Sequence, residues 1–328
     1  MPGDNTTKLN LAWGQSKATD VTLSELVLDN FVNFYDWGLL DKGGFYNINI
    51  PQSGIYGGDR HKLRLVDSPN YNDGQVWEGY RQNWVWEGSG SVDGTTEQPI
   101  TPSGVFVDGS FYAVDNVTKP FYIDYDLGRV VFDSAEPSTS EVTIAYSHKR
   151  VQVVPAKGIS WFQQLQTNSF RNESDFQVYG SGGWVHLGQT RVQLPAIAVE
   201  VVPAQSTKGY QLGGGQWVRP DVVFYIMSEN HWETVNLMDT VVSQNDRTIK
   251  LYDPTQVAAS GVSPYTFENG RQRELRGHAR ASGIYPSLVE NYPYRQCWIN
   301  NTRGASVTQL SVDLYMGVAR CSTEIGPV

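Results

Sequence analysis

Cysteine is almost absent from this chain, whose 328 residues include only Cys297 and Cys321. Two cysteines cannot build the disulfide framework of a small secreted domain. A chain of this length also needs no covalent staples, because it buries about 75% of its unfolded surface on folding. Both residues flank the last predicted hairpin. We expect buried free thiols, with a disulfide between them as the alternative.

Long apolar runs are lacking too. No segment approaches the roughly 18 consecutive apolar residues of a membrane-spanning helix, so we expect no contact with a membrane. With 40% apolar and 18% charged residues, the composition is that of a folded protein rather than a disordered one. The length predicts one large or two medium domains.

Motifs of reactive chemistry are missing as well. The sequence has no G-x-S-x-G or G-x-G-x-x-G motif and no phosphate-binding loop. None of the five histidines has a cysteine or a second histidine at ligand spacing. We therefore expect no catalytic residues, no cofactor and no metal ion. A carboxylate pair for glycoside hydrolysis stays open, because such pairs are distant in sequence.

The negative charge is unevenly distributed. Residues 1–150 hold 20 acidic and 11 basic side chains, a net charge of −9, whereas the remainder holds 14 of each. An acidic half disfavours binding to nucleic acid or to an anionic membrane. It is typical of a surface that DNA passes without binding, and equally of a plain solvated surface.

The first predicted element is an amphipathic helix. The T-x-x-E sequence that starts at Thr22 is a capping box. Apolar residues then recur at spacings of three and four from Leu23 to Tyr35, which predicts one buried face. Gly38 is placed as the residue that ends the helix.

Short strands and tight turns follow the helix. Asp108-Gly109 lies between two apolar runs and predicts a hairpin with a two-residue type I′ turn. A second hairpin is predicted over Phe121–Phe132, turning at 126–128. Asp124 and Asp126 resemble a fragment of a calcium loop, but the further oxygen ligands are missing, so we expect turn residues.

Tryptophan concentrates in the segment Val76–Glu87, which we predict to be one strand with Trp84 and Trp86 on the same face. Tryptophans in such strands either stack on sugars or pack in a core, and core packing is the favoured interpretation. Another strand is predicted within Val142–Val154.

One continuous pattern organises the second half of the chain. Leu194–Val202 predicts a strand, Lys208–Gly215 a glycine-rich turn and Val218–Ile226 a second strand. Ser228–Gln244 then has helical spacing, and Thr248–Tyr252 returns to strand. Ser228 or Asn230 would cap this helix. Its predicted buried stripe comprises Trp232, Val235, Met238, Val241 and Val242.

The chain closes with a predicted hairpin. Its first strand is Gln296–Asn300 and its turn is 301–304. In the returning strand, alternate apolar residues predict one buried face. They are Leu310, Val312, Leu314, Met316 and Val318.

Charge and element type both change at Val154-Pro155, which predicts domains of residues 1–154 and 155–328. The expected fold class is α+β and β-rich. An N-terminal helix and an antiparallel β domain come first, and a sheet-and-helix domain follows. A cluster of four arginines in the second domain would contact phosphate or, preferably, the carboxylates of a neighbouring subunit. They are Arg271, Arg273, Arg276 and Arg280.

Two segments resemble virion structural proteins of tailed bacteriophages. One is PAIAVEVVP followed by KGYQLGGGQWVRPDVVFYIMSENHWETVNLMDTVVSQNDRTIKLYD, and the other is KPFYIDYDLGRVVFDSA with EVTIAYSHKRV. The resemblance points to the neck and tail-terminator proteins of the head-to-tail region. It implies a tail-terminator-like domain over residues 155–328, with helices on one side of a sheet. Small terminators lack a β-rich half like residues 1–154.

The resemblance also implies a function without catalysis. A neck protein is a subunit of a ring that joins capsid to tail in the virion and lets DNA pass through. Its partners are copies of itself and other neck, tail-tube or sheath proteins, and assembly takes place in the bacterial cytoplasm. Two alternatives remain, a fibre or baseplate adhesin that binds glycans and a glycan-degrading enzyme.

Overall fold

The structure is a computed structural model that describes residues 23–51, 59–68, 70–85, 98–125, 127–156, 193–202, 206–211, 214–251, 266–268, 271–273, 294–311 and 314–327. The helices are α1 (Leu23–Asp41) and α2 (His231–Val242). The strands are β1 (Phe45–Ile48), β2 (Arg64–Val66), β3 (Val76–Glu78), β4 (Gly104–Val107), β5 (Ser110–Ala113), β6 (Phe121–Asp124), β7 (Arg129–Phe132), β8 (Val142–Thr143), β9 (Tyr146–Lys149), β10 (Gln152–Pro155), β11 (Ala196–Val201), β12 (Ser206–Gln211), β13 (Gly214–Arg219), β14 (Asp221–Ser228), β15 (Arg247–Lys250), β16 (Thr266–Glu268), β17 (Arg271–Arg273), β18 (Tyr294–Gly304), β19 (Thr308–Ser311) and β20 (Leu314–Pro327). The fold is therefore β-rich and of the α+β class, as predicted.

These residues form two units. The β unit comprises the described residues within 40–152, together with 193–194. The sheet–helix unit comprises 23–39, 153–156 and the described residues from 195 onwards. The chain thus changes unit beside Val154-Pro155. The grouping differs from the expected division into 1–154 and 155–328, because helix α1 belongs with the C-terminal sheet.

A nine-stranded sheet organises the sheet–helix unit. Its path runs β10-β11-β14-β20-β13-β12, and β15, β18 and β19 join it through β18 and β20. Strand β20 pairs antiparallel with β13, β14, β18 and β19. The last strand of the chain therefore holds the sheet together.

Aromatic packing explains why α1 joins this sheet. The ring of Phe224 in β14 lies 6.0 Å from the ring of Phe31 and 5.0 Å from that of Tyr35. All three side chains are buried. Such pairs contribute about 0.5–1.5 kcal/mol each beyond the burial of their apolar area.

The predicted end of α1 at Gly38 is wrong. The helix continues to Asp41, and Gly43 makes the following turn with a φ of 82°. Trp37 and Leu40 are both buried, so the apolar face extends beyond the glycine. Burying these two side chains outweighs the roughly 1 kcal/mol that a glycine costs inside a helix.

Helix α2 is shorter than predicted and rotated relative to the predicted stripe. Its buried residues are Thr234, Leu237 and Val241, whereas Trp232 is 72% exposed. The apolar spacing alone missed Thr234, whose hydroxyl is satisfied by the carbonyl of Asn230 at 3.2 Å. Because its hydroxyl is hydrogen-bonded, this threonine is buried without the penalty of an unpaired polar group.

Proline divides the segment predicted as one strand over Val218–Ile226. Pro220 has no N–H, and it separates β13 from β14. Its carbonyl accepts the backbone N–H of Thr323 at 3.0 Å. The glycine-rich segment Lys208–Gly215 is not simply a turn. Lys208–Gln211 belongs to β12, Gly214 and Gly215 belong to β13, and these two strands pair with each other.

The predicted turn at 301–304 is also wrong. Strand β18 continues through Asn301, whose φ of 49° accompanies a register shift in its pairing with β20. The positive φ is absorbed by a bulge rather than by a chain reversal. The strand preceding β20 is instead β19, which pairs with it antiparallel.

The predicted buried face of the last strand is wrong except at Leu314. Met316 and Val318 are only half-buried, Leu310 in β19 is 38% exposed, and Val312 lies outside the described residues. The other buried side chains of β20 lie on the opposite face and are Ala319, Cys321, Thr323 and Ile325. Cys297 is buried as well, and both cysteines are free thiols, as expected.

Both hairpins predicted in the β unit are confirmed. Val107 pairs with Ser110, and Asp108 and Gly109 have φ values of 49° and 80° as a type I′ turn requires. Strands β6 and β7 form the second hairpin, in which the Asp124 carboxylate accepts the N–H of Leu127 at 3.0 Å. Asp124 is thus a turn residue, and Asp126 lies outside the described residues.

The segment Val76–Glu87 does not form one strand. Only β3 is regular, and Trp84 makes an isolated bridge to His148. Trp77 and Trp84 are buried, and the Trp84 ring stacks on that of Tyr146 at 4.2 Å. The core interpretation is confirmed for these two tryptophans. Trp86 lies outside the described residues, and Val142–Val154 contains β8, β9 and part of β10.

Candidate subunit-contact surfaces

The nine-stranded sheet has two different faces. One face is apolar, because Val218, Phe224 and Ile325 are buried there with the helices. On the opposite face, which we call the outer face, exposed and half-buried side chains alternate with the buried ones along the strands, although Ala198 and Met227 of this face are buried. Its polar, charged and aromatic residues are Glu200, Arg219, Asp221, Trp298, Arg303, Arg320, Ser322 and Glu324.

Ion pairs cross the strands of the outer face. Arg219 contacts Glu324 with 2.8 Å between nitrogen and oxygen, and Arg320 contacts Asp221. The arginine side chains are 43% and 60% exposed. Exposed pairs of this kind contribute only about 0–1 kcal/mol to folding. These charges therefore remain available for contacts with another molecule.

Trp298 adds an aromatic ring to the outer face. It lies opposite Glu324 in β20 and opposite Thr248 in β15, and it is 40% exposed. Tryptophan and arginine are both enriched at protein–protein interfaces. The composition of the outer face is thus typical of a contact surface.

A second surface, the aromatic tip, lies where α2 begins. It consists of His231, Trp232 and Tyr315. The His231 ring lies edge-on to Trp232 and to Tyr315, with 5.7 Å between ring centroids in each case. Trp232 is 72% exposed, which is unusual for so large an apolar ring.

Hydrogen bonds fix the backbone beneath the aromatic tip. The Asn230 side chain accepts the N–H of Trp232 at 2.9 Å and caps α2, so the predicted cap is confirmed. The Ser228 hydroxyl donates to the Asn230 carbonyl at 2.5 Å and lies 2.7 Å from the Thr234 hydroxyl. Trp232 is therefore presented from a rigid support.

The four predicted contact arginines are only partly described. Arg271 and Arg273 lie in β17, which pairs with β16 in a two-stranded sheet. Arg276 and Arg280 lie outside the described residues. Their role as a subunit contact stays a prediction.

The β unit buries a histidine next to cationic groups. Burial, and secondarily the charges of Arg81 and Arg60, lower the pKa of His148 to about 3. Its Nδ1 lies 3.2 Å from the carbonyl of Lys149, which can only accept, so Nδ1 carries the proton. The imidazole is neutral at neutral pH and serves as a packed aromatic ring beside Tyr146.

A buried ion pair and an exposed tyrosine pair complete the polar contacts of the β unit. Arg129 donates through Nε to Glu78 at 2.9 Å, and both side chains are buried. The hydroxyls of Tyr71 and Tyr122 are hydrogen-bonded to each other. This bond, with a smaller effect of burial, raises the pKa of Tyr122 to about 12. The two rings are 39% and 45% exposed.

Within the described ranges, no three histidine, cysteine or acidic side chains are grouped as a metal site would require. Neither of the described helices has the length and apolar character needed to cross a membrane. Comparison with known proteins found no matching family model and no matching curated protein.

The sequence did not reveal either contact surface. The spacing of Trp232 matches the apolar stripe and predicts burial, and only its exposure in the folded chain shows otherwise. Cross-strand pairs such as Arg219 with Glu324 depend on registers between distant segments. The one available signal was the polar alternation along β20.

Proposed function

We propose that the chain is a non-enzymatic virion protein of a tailed bacteriophage, a ring-forming subunit at the head–tail junction. In this role it joins the capsid to the tail as a neck or tail-terminator protein. The proposal rests on the resemblance of the two quoted segments. It assigns residues 155–328 to a tail-terminator-like domain.

The fold and the charge distribution support this proposal. Helices on one face of a sheet, with a long last strand, are the arrangement that the resemblance implies. The net charge of −9 within residues 1–150 suits a channel through which DNA slides without binding. Neck, tail-tube or sheath proteins would be the further partners.

The aromatic tip is the structural feature that supports the formation of a ring. A ring requires heterologous contacts, in which one surface of a subunit meets a different surface of its neighbour. Exposed tryptophans held by a rigid backbone are typical anchors of such contacts. Trp232, above the cap formed by Asn230, meets both conditions.

Mass photometry of the purified chain and of Trp232→Ala tests the proposal. We expect closed assemblies of roughly six or twelve copies for the native chain and smaller species for the variant. Phe111→Ala is the matched control, because Phe111 is an exposed ring of the β unit. A native chain that forms only trimers or monomers, or a variant that assembles normally, contradicts the proposal.

A glycan-binding adhesin is the second candidate. The specific observation in its favour is the exposed pair of Tyr71 and Tyr122, since tyrosine rings with free faces stack on sugars. A glycan array separates the two functions. Binding that is lost in Tyr122→Ala, together with a trimeric assembly, would support the adhesin instead of the ring.

A further inference from the structure

The strand registers fix the order of charged side chains across the outer face. In one row, Trp298 lies opposite Glu324, and Glu324 contacts Arg219 on the next strand. The order from β18 to β13 is therefore aromatic, negative and positive. Glu324 and Arg219 flank the line between β20 and β13.

A second row lies four residues away along β20. Arg303 lies opposite Arg320, Arg320 opposite Val223, and Val223 opposite Glu200. Two arginines directly opposite each other are unfavourable unless an acidic group is near. The order from β18 to β11 is positive, positive, apolar and negative. The positive and negative ends of this row lie at equal distances from the same line.

We propose that the outer face binds the outer face of a second copy of this chain. The twofold axis would run parallel to β20, along the line between β20 and the strands β13 and β14. Rotation about this axis exchanges positions that lie at equal distances on its two sides. Glu324 of one copy then meets Arg219 of the other, and Arg303 meets Glu200.

Charge complementarity selects a second copy as the partner. A twofold contact requires a self-complementary surface. The two rows and the Asp221 pair between them contain three acidic and three basic side chains, although the whole chain has a net charge of −9. Each attractive pair occurs twice by symmetry. Two acidic chains can thus approach through this face without net repulsion.

Strand β20 lies in the middle of this face, with β13 and β14 on one side and β18 on the other. Strand β11 extends the face beyond β14. The two rows therefore lie on both sides of β20, and two sheets packed face to face in this way form a sandwich.

This contact differs from the ring contact proposed above. It is isologous and pairs two copies, or two rings back to back, whereas the aromatic tip would serve head-to-tail neighbours. Because it uses other residues, it does not depend on the proposed function. Loss of pairing without loss of rings, or the reverse, distinguishes the two.

Complementary charge reversal provides the test. Arg219→Glu and Glu324→Arg each break the ion pair within the chain and place like charges across the twofold contact. In a mixed pair, one copy carries glutamate at both positions 219 and 324, and the other carries arginine at both. Opposite charges therefore meet at both contacts between the chains, while the ion pair within each chain stays broken. A rescue in the mixture therefore reports only the contact between chains.

Sedimentation velocity with each chain gives the association constants. We expect each variant alone to associate at least tenfold more weakly than the native chain and the equimolar mixture to recover most of the loss. Asp239→Arg, on an exposed position of α2, is the matched control and should associate normally. A native chain without pairing, variants that pair normally, or a mixture no better than its components would each overturn the proposal.

Discussion

Replacement of Phe224 by alanine tests how the N-terminal helix is attached to the sheet. Phe224 is fully buried, and its ring contacts those of Phe31 and Tyr35 at 6.0 and 5.0 Å. Loss of a buried phenylalanine typically costs about 3–5 kcal/mol. Because two aromatic contacts are lost together, we expect a loss near the upper end, about 4–5 kcal/mol.

Urea denaturation followed by circular dichroism measures this loss. A destabilisation of about 4 kcal/mol is a large part of the roughly 5–15 kcal/mol that stabilises a typical domain. Val117→Ala is the control and should change the free energy of unfolding by less than about 0.5 kcal/mol, because Val117 is 92% exposed.

A double-mutant cycle locates the effect. Leucine at positions 224 and 35 should show a coupling of about 0.5–1.5 kcal/mol if the two rings contact each other. A loss below about 1 kcal/mol in Phe224→Ala, or the absence of coupling to Tyr35, would refute the packing of α1 on this sheet.

Three further predictions concern pH, turns and assembly. Because the pKa of His148 is lowered to about 3, unfolding takes up a proton below about pH 6.5, and stability should fall by up to about 1.4 kcal/mol per pH unit as the pH drops. In His148→Gln, the melting temperature should depend less steeply on pH. An unchanged dependence counts against a buried neutral imidazole. Gly109→Ala should cost about 1 kcal/mol, and only through backbone strain, because nothing lies near the added Cβ. Gly128→Ala should cost more in thermal melts, because its Cβ would also lie 2.4 Å from the Arg81 carbonyl oxygen. Equal losses would contradict the described turn at Gly128. Glutamate at both Arg273 and Arg276 should block assembly in electron micrographs while circular dichroism stays native, and normal assembly would remove these arginines from the contact.

Local chemistry made several elements predictable from the sequence. Asp108-Gly109 allows the positive φ values that a type I′ turn demands, so that hairpin follows from two residues. Asn230 caps α2 by accepting the backbone N–H of Trp232, only two residues further along the chain. Features of this kind need no information about distant segments.

Features set by distant pairing were not predictable. The buried face of β20 depends on its four partner strands, which are separated from it in sequence. The burial of Trp37 and Leu40 extends α1 beyond Gly38, and the rings of Phe31 and Tyr35 place the helix with the second unit rather than the first. The outer face was not predictable for the same reason, because its residues come from strands that are distant in sequence. An arginine cluster within one segment was predicted as the contact instead.

The proposed place of the chain at the head–tail junction is tested by immunogold electron microscopy. If the chain is a virion protein as proposed, gold-labelled antibodies against the purified chain bind intact phage particles and show its position. We expect label at the junction between head and tail. Label at the fibre tips or the baseplate, or no label on the particle, would contradict it.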